Sequence, residues 1–306
     1  MRGAAGRPRR VSPRGPRAYN ESCVRPFRGE LTVAFDASGV SGAVVSRGLR
    51  GPRLRSFARA SLEPGALLPQ PLDENVHRPE EAGAALARVL EGLAAGRGPV
   101  SLVLPDGVAR IGLVEVPAGV PPDQYVRFRW AQGLPYPSGE AIVDVLPLGG
   151  GRVVAAAVRR GVAQEYEAVA ARAGLSPGRV DLAPLAALSA LLRDPPAEAA
   201  GVDVILGDAA YCLAASHGGA LRVLRNRRRD ADGGEAGRLR REVDRTAAFA
   251  GNGTGPLRVR VVGPGARHLI GELLRSGRAA GPGWETDGGG LPVEAAELAW
   301  LGGALG

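Results

Sequence analysis

Short apolar runs that stop at glycine, proline or aspartate alternate along the chain with longer stretches in which apolar residues return every three or four positions. Leu31-Thr32-Val33-Ala34-Phe35 predicts a buried strand ending at Asp36-Ala37-Ser38-Gly39, and Ala43-Val44-Val45 predicts a second strand turning at Arg47-Gly48. Pro79, Glu80 and Glu81 open a helix whose apolar positions are Leu86, Val89, Leu90 and Leu93, with the acids at its positive end. Val100 to Leu104 and Ile111 to Val116 predict paired strands, and residues 122 to 132 a helix carrying Tyr125, Phe128 and Trp130. Leu134-Pro135-Tyr136-Pro137 breaks that pattern.

Ile142 to Leu146 and Arg152 to Val158 predict a strand pair joined by Gly149-Gly150-Gly151. A helix with Val162, Tyr166, Val169, Ala170 and Ala173 on one face ends at Gly174, and Leu182, Leu185, Leu188 and Leu192 mark a further helix. The Pro- and Ala-rich stretch 194–201 is the clearest boundary in the chain. Beyond it the first pattern returns: with an offset of 170, Val202 to Gly218 falls on Thr32 to Gly48, which suggests two related halves. Leu221 to Leu224 then predicts a strand and residues 235 to 250 a helix. Leu257, Val259 and Val261 alternate with Arg258 and Arg260 as in a half-exposed strand. The turn Gly263-Pro264-Gly265 leads into a helix with Leu269 and Ile270, and Val293 to Leu305 predicts one more. The organisation expected is a basic arm over 1–30, a first half over 31–193, a linker over 194–201 and a second half over 202–306.

Composition narrows the chemistry. All 39 basic residues among the 306 are Arg, which excludes a Schiff-base lysine, a lysine general base and a phosphate loop of the GK[ST] type. The net charge of +8 is uneven: residues 1–30 hold eight Arg against Glu21 and Glu30, so the remainder carries only +2. The arm reads as a solvated extension. No apolar run approaches the roughly 20 residues of a membrane-spanning helix, and no apolar stretch follows the N-terminal arginines as in a signal peptide, so a cytoplasmic chain is expected. Cys23 and Cys212 have no paired spacing, and His77, His217 and His268 suggest neither a triad nor a metal site. Arg222, Arg225, Arg227, Arg228 and Arg229 form a basic run with no aromatic interleaved, so nucleic-acid binding is not expected.

Three turns have the small residues that let backbone N–H groups approach an anion: Asp36-Ala37-Ser38-Gly39, Gly207-Asp208-Ala209-Ala210 and Gly263-Pro264-Gly265-Ala266. Each is weak alone, since strands often end in Gly and Asp for geometric reasons. Their order resembles the actin-like ATPases. The string Ser101 to Asp106, Val116-Pro117, Phe128-Arg129-Trp130, Leu134 to Pro137, Val154 to Arg160, Ala173 to Pro177 and Val180-Asp181 resembles the type IV pilus assembly protein PilM family.

That resemblance, over residues 31 to 306, implies an α/β fold of the actin-like (ribonuclease H-like) kind, with a small subdomain inserted in the first half at about 110–180. It implies ATP and Mg²⁺ as the ligands of such a cleft. It also implies a cytoplasmic, homo-oligomeric ring that binds the N-terminal tail of the inner-membrane protein PilN, so that membrane contact is indirect. The nucleotide-contacting positions carried over are Asp36, Ser38, Gly39, Gly207, Asp208, Gly263 and Gly265. The chain departs from the family pattern where Ser38 replaces the second glycine of Asp-x-Gly, Ala43 falls where a Lys stands, and Pro264 breaks a glycine pair. A vestigial cleft in a scaffold protein is therefore expected, with no catalytic or metal-ligating residue assigned. The alternatives are a working actin-like ATPase, in which Asp208 serves as the second acid, and a cytoplasmic portion resembling GspL of type II secretion.

Overall fold

The computed structural model describes residues 30–48, 51–72, 74–95, 98–192, 200–229, 235–249, 257–275 and 284–285. The expected arm before Glu30, the linker as far as residue 199 and the helix Val293 to Leu305 lie outside them.

Two sheets with one repeated topology organise the chain. In the first, β1 (Glu30–Asp36), β2 (Gly39–Gly48) and β3 (Gly51–Ser61) form an antiparallel meander. β4 (Gly98–Leu104) lies parallel to β1, and β8 (Leu175–Leu182) lies parallel to β4. The sheet order is β3-β2-β1-β4-β8. The second half repeats this order with β9 (Ala200–Leu206), β10 (Ala210–His217), β11 (Ala220–Arg228), β12 (Leu257–Val262) and β13 (Trp284–Glu285), arranged β11-β10-β9-β12-β13. β1 and β9 coincide at the offset of 170, so the sequence likeness between Thr32–Gly48 and Val202–Gly218 extends to whole halves.

Between β4 and β8 the first half holds an additional unit. β5 (Ala109–Glu115), β6 (Ala141–Gly149) and β7 (Arg152–Arg159) pair antiparallel in the order β5-β7-β6 under α2 (Pro122–Trp130), and they extend the second half's sheet beyond β11 to eight strands. Its core is Val114, Val126, Trp130, Val153, Ala155 and Ala157. β5 and β4, read from sequence as a pair, belong to different sheets: β4 stays between β1 and β8, whereas β5 pairs with β7 and touches β11 at Arg225↔Gly112. A chain closing a short hairpin and a chain leaving one sheet for another look alike locally, because both need the turn Pro105-Asp106-Gly107.

The helices are α1 (Pro79–Gly92), α3 (Arg160–Arg172) and α4 (Ala183–Leu191) in the first half, with α5 (Glu235–Phe249) and α6 (Ala266–Arg275) in the second. Leu182, expected inside a helix, ends β8, and α4 starts one residue later with Pro184 in its first turn. β3 and β8 were not read from sequence as strands.

Arg260, expected to face solvent, is buried and forms a two-bonded ion pair with Asp203 directly across the β9–β12 ladder. Arg260 Nε lies 2.5 Å from Asp203 Oδ1 and Nη2 lies 2.9 Å from Oδ2, while Nη2 also donates to the Leu191 carbonyl at 3.0 Å. Alternation along β12 fails there because β12 is an inner strand, with α4 against one face and α5 and α6 over the other, so both faces are covered.

Candidate functional site

The repeat brings the first two loops face to face. Asp36 is the last residue of β1, Asp208 follows β9, and the Ser38 hydroxyl stands 2.7 Å from Asp36 Oδ1 and 3.2 Å from Asp208 Oδ2. Its single proton serves one carboxylate at a time. The Ser38 N–H donates to Asp36 Oδ1 at 2.9 Å, closing the turn on its own carboxylate.

Arg59, from β3, occupies the first loop. Its Nη1 lies 2.8 Å from Asp36 Oδ2 and its Nη2 lies 2.9 Å from Asp36 Oδ1, the two-pronged geometry of a guanidinium on a carboxylate. The same guanidinium reaches Ser41 Oγ at 2.8 Å and Ser38 Oγ at 2.7 Å. β2 and β3 place Ser41 opposite Arg59, so strand register alone aims the side chain at the loop. Gly39 makes room for it: a Cβ there would stand 2.7 Å from the Ala60 carbonyl oxygen and 3.2 Å from Arg59 Nη2. Ala43, in contrast, is fully buried beside Ala34 and Val103, where no lysine ammonium would reach the loop. The cation of this loop comes from the third strand.

On the opposite wall, Asp106 follows β4 and is buried beneath the second loop, where its carboxylate accepts hydrogen bonds from the N–H groups of Ala209 (3.1 Å) and Ala210. Gly207 permits this approach, since a Cβ on it would overlap the Asp106 carboxyl carbon at 2.2 Å. Burial pushes the Asp106 carboxyl up to about 6, assisted by the charge of Asp208 and opposed by the two backbone donors and Arg229. The Asp208 carboxyl is also raised, first by burial and then by Asp36, with the Ser38 hydroxyl and Arg59 acting the other way. Arg229 also donates to the Gly207 carbonyl and pairs with Glu235 at 2.6 Å.

The third turn closes the cleft from the second half. Gly263 has φ +106, and the backbone of β9 passes so close that a Cβ there would fall 2.2 Å from the Leu206 carbonyl oxygen. α6 begins after this turn, and Pro264 lines the cleft with Phe35, Asp36, Arg59, Pro105, Asp106, Pro184, Leu206, Gly207 and Asp208. Gly265 has φ +77 and open space around it. All three sequence-selected turns thus converge, while Arg59 and Asp106 were not among the residues selected. Asp106 carried a signal in its Pro-Asp-Gly turn. Arg59 carried none that separates it from Arg53 or Arg55 on the same strand.

An Asp106→Asn variant tests the strain at this acid. A folded-state value above the unfolded 3.8 means that the carboxyl contributes stability below about pH 4 and that this is lost as pH rises through about 6. The asparagine oxygen still accepts from Ala209 and Ala210, so the variant should match the parent near pH 4 and exceed it by about 2–3 kcal/mol at pH 8. Denaturant melts at the two pH values measure the difference.

The arginines after the boundary are largely engaged. Arg225 and Arg227 lie 3.8 Å and 3.4 Å from Glu242 on α5, and Arg225 also stands over the Phe249 ring at 5.7 Å. Asp230 and Asp232, which follow the run in the sequence, are outside the described residues.

No family model matches the sequence, and no curated protein does. Solved structures match over most of the chain. A structure described as the PilM-PilN type IV pilus biogenesis complex superposes with TM-score 0.70 at 20% identity, covering 90% of this chain and 97% of that one. The cytoplasmic domain of EpsL, an inner-membrane component of the type II secretion system of Vibrio cholerae, matches with TM-score 0.50 at 13% identity over 77% of this chain and 82% of that one. A Bacteroides thetaiotaomicron protein of actin-like ATPase fold and unknown function matches with TM-score 0.53 at 10% identity, covering 81% and 88%. Two halves of one topology, meeting at a cleft built from their matching first turns, give this chain the actin-like ATPase fold and bear out the resemblance to PilM read from its sequence.

Proposed function

We propose that the chain is a cytoplasmic scaffold of type IV pilus or related secretion machinery, holding the tail of a PilN-like inner-membrane partner, with a cleft that does not turn over nucleotide. The structural likeness to a PilM chain solved with PilN supports the setting. The state of the cleft supports the rest, and one observation carries it: Arg59 already holds both oxygens of Asp36. Hydrolysis in such a cleft needs carboxylates open to Mg²⁺ and cations open to phosphate. Here the first acid and the lining arginine neutralise each other, and the second acid, Asp208, is pushed toward its neutral form by burial and by Asp36. The acid charge left over above about pH 6 is that of Asp106, which repels a polyphosphate. The residues as arranged do not fit a Mg²⁺–nucleotide.

The convergence of three phosphate-type turns favours ATP binding as the second reading, and one experiment separates the two. The full chain is titrated with the membrane-anchored partner's tail in the presence and absence of ATP and Mg²⁺, and separately with ATP and Mg²⁺ alone. The scaffold reading expects saturable tail binding of unchanged affinity and no saturable heat from nucleotide. An absence of tail binding ends it. Saturable nucleotide binding that is lost in Asp36→Ala replaces it with the ATP-binding reading.

A further inference from the structure

The helix layer on one face of the eight-stranded sheet concentrates positive charge. Residues directly opposite each other in an antiparallel pair point to the same side. Leu213, in the core under α5, stands opposite Arg225; Arg225 stands opposite Gly112, and Gly112 opposite Ala155, in the core under α2. α2 and α5 therefore cover the same face. Three guanidiniums crowd one acid of α5: Arg225, Arg227 and Arg245 lie 3.8, 3.4 and 2.8 Å from Glu242. On α2, Arg127 donates to the Ala141 carbonyl and Arg129 to the Tyr125 hydroxyl, and both are exposed. The two helices, with Arg110, Arg225, Arg227 and Arg229 that contact them, hold ten arginines against four acids, a net of +6. Residues 31–306 total +2, so the rest of that span carries −4.

The two most exposed large apolar side chains among the described residues stand on these same helices: Phe128 is 81% exposed and Phe249 is 71% exposed. At about 100° per residue, Phe128 lies on the side of α2 opposite the buried Val126 and Trp130, with Arg127 and Arg129 on its flanks. Phe249 ends α5, and the Arg225 guanidinium lies 5.7 Å from its ring centroid. Outward rings set among arginines match the interfacial layer of a bilayer that carries anionic headgroups. There a ring enters the acyl boundary without needing a pocket, and guanidiniums meet negative charge spread over the whole area. A soluble acidic partner would have to supply a matching hollow for each ring. We propose that this face seats directly on an anionic bilayer surface, with Phe128 and Phe249 entering it and the arginines of α2, β11 and α5 against its headgroups. The negative remainder of the span is repelled by that surface, so the charge asymmetry also sets which side approaches. This contact goes beyond the indirect one that the family resemblance implies, and it does not rest on the scaffold reading.

The test sediments the full chain, without any partner, on vesicles of phosphatidylcholine alone and of phosphatidylcholine with about one-third phosphatidylglycerol. Saturable binding to the mixed vesicles is expected, at least tenfold weaker to phosphatidylcholine alone and weakened by added salt. Because residues 1–30 hold eight arginines of their own, substitutions carry the assignment. Phe128→Ser with Phe249→Ser, and separately Arg127→Gln with Arg129→Gln, should each weaken binding at least fivefold while melting like the parent, since all four side chains are exposed. Arg53→Gln with Arg172→Gln removes the same charge from β3 and α3, outside this face, and should change binding less than twofold. Brominated lipid should quench a Phe128→Trp variant more than the parent, which places that position in the bilayer without depending on the other variants. Binding unchanged in both face variants belongs to the arm and overturns the proposal, as does an equal loss in the Arg53 and Arg172 pair. Poly-glutamate or a single-stranded oligonucleotide that binds more tightly than the mixed vesicles, and is weakened by the same face variants, overturns lipid as the partner.

Discussion

Arg260→Ala should destabilise the fold by about 3–5 kcal/mol, because it leaves the Asp203 carboxylate buried with no counter-charge. Both side chains are only 4% exposed, so solvent cannot take over the lost bonds. The loss also frees the Leu191 carbonyl at the end of α4, which Arg260 Nη2 now satisfies. Urea unfolding of the full chain measures the effect. The double variant Arg260→Met, Asp203→Leu supplies the internal check: with both charges removed and the volume kept, most of the lost stability should return. A double variant as unstable as Arg260→Ala would mean that the carbonyl contact or the packing, not the uncompensated charge, dominates.

Gly263→Ala should cost about 3 kcal/mol, from two additive causes. A φ of +106 is a conformation that L residues rarely adopt, and the new methyl would sit 2.2 Å from the Leu206 carbonyl oxygen, which belongs to a central strand and cannot step aside. Gly265→Ala separates the causes. Its φ of +77 imposes the conformational cost, but nothing lies within 4 Å of the added carbon, so about 1 kcal/mol is expected. Equal losses in the two variants would show that contact with β9 contributes nothing. Hydrogen exchange near Leu206 should rise in Gly263→Ala and stay unchanged in Gly265→Ala.

What could be read from the sequence follows the range over which each signal acts. β1, β2, β9 and β10 were legible because a strand ending in Asp-Ala-Ser-Gly or Gly-Asp-Ala-Ala is written in adjacent residues, and the recurrence at 170 positions repeats the message. β3 was not legible, since Gly51–Ser61 has only Leu54 and Phe57 as large apolar residues, both exposed, and becomes a strand by pairing with β2 along its length. The role of Arg59 was hidden with it, because that residue reaches the loop through a register set partly by an irregularity between Val44 and Val45. Arg260 misled for a related reason: alternation in β12 predicts an outward arginine, and only the neighbouring Asp203, far away in sequence, makes it an inward one. Asp106 was visible as a turn residue, but its burial under Gly207 depends on two halves closing over each other.

The rung between Arg225 and Gly112 ties β11 of the second half to β5 of the unit inserted in the first. The rung does not stand alone: Arg152 of β7 donates to the Leu221 carbonyl of β11 at 2.8 Å, and Ile111 and Val154 share a buried core with Leu221 and Leu224. A twist of the second half is therefore carried into the inserted unit along its β5 edge, and a load applied to that unit returns through β11 and β10 to the loop that holds Asp208. A proline at Gly112 would disturb both neighbours at once, because that residue stands opposite Ala155 of β7 as well as Arg225 of β11.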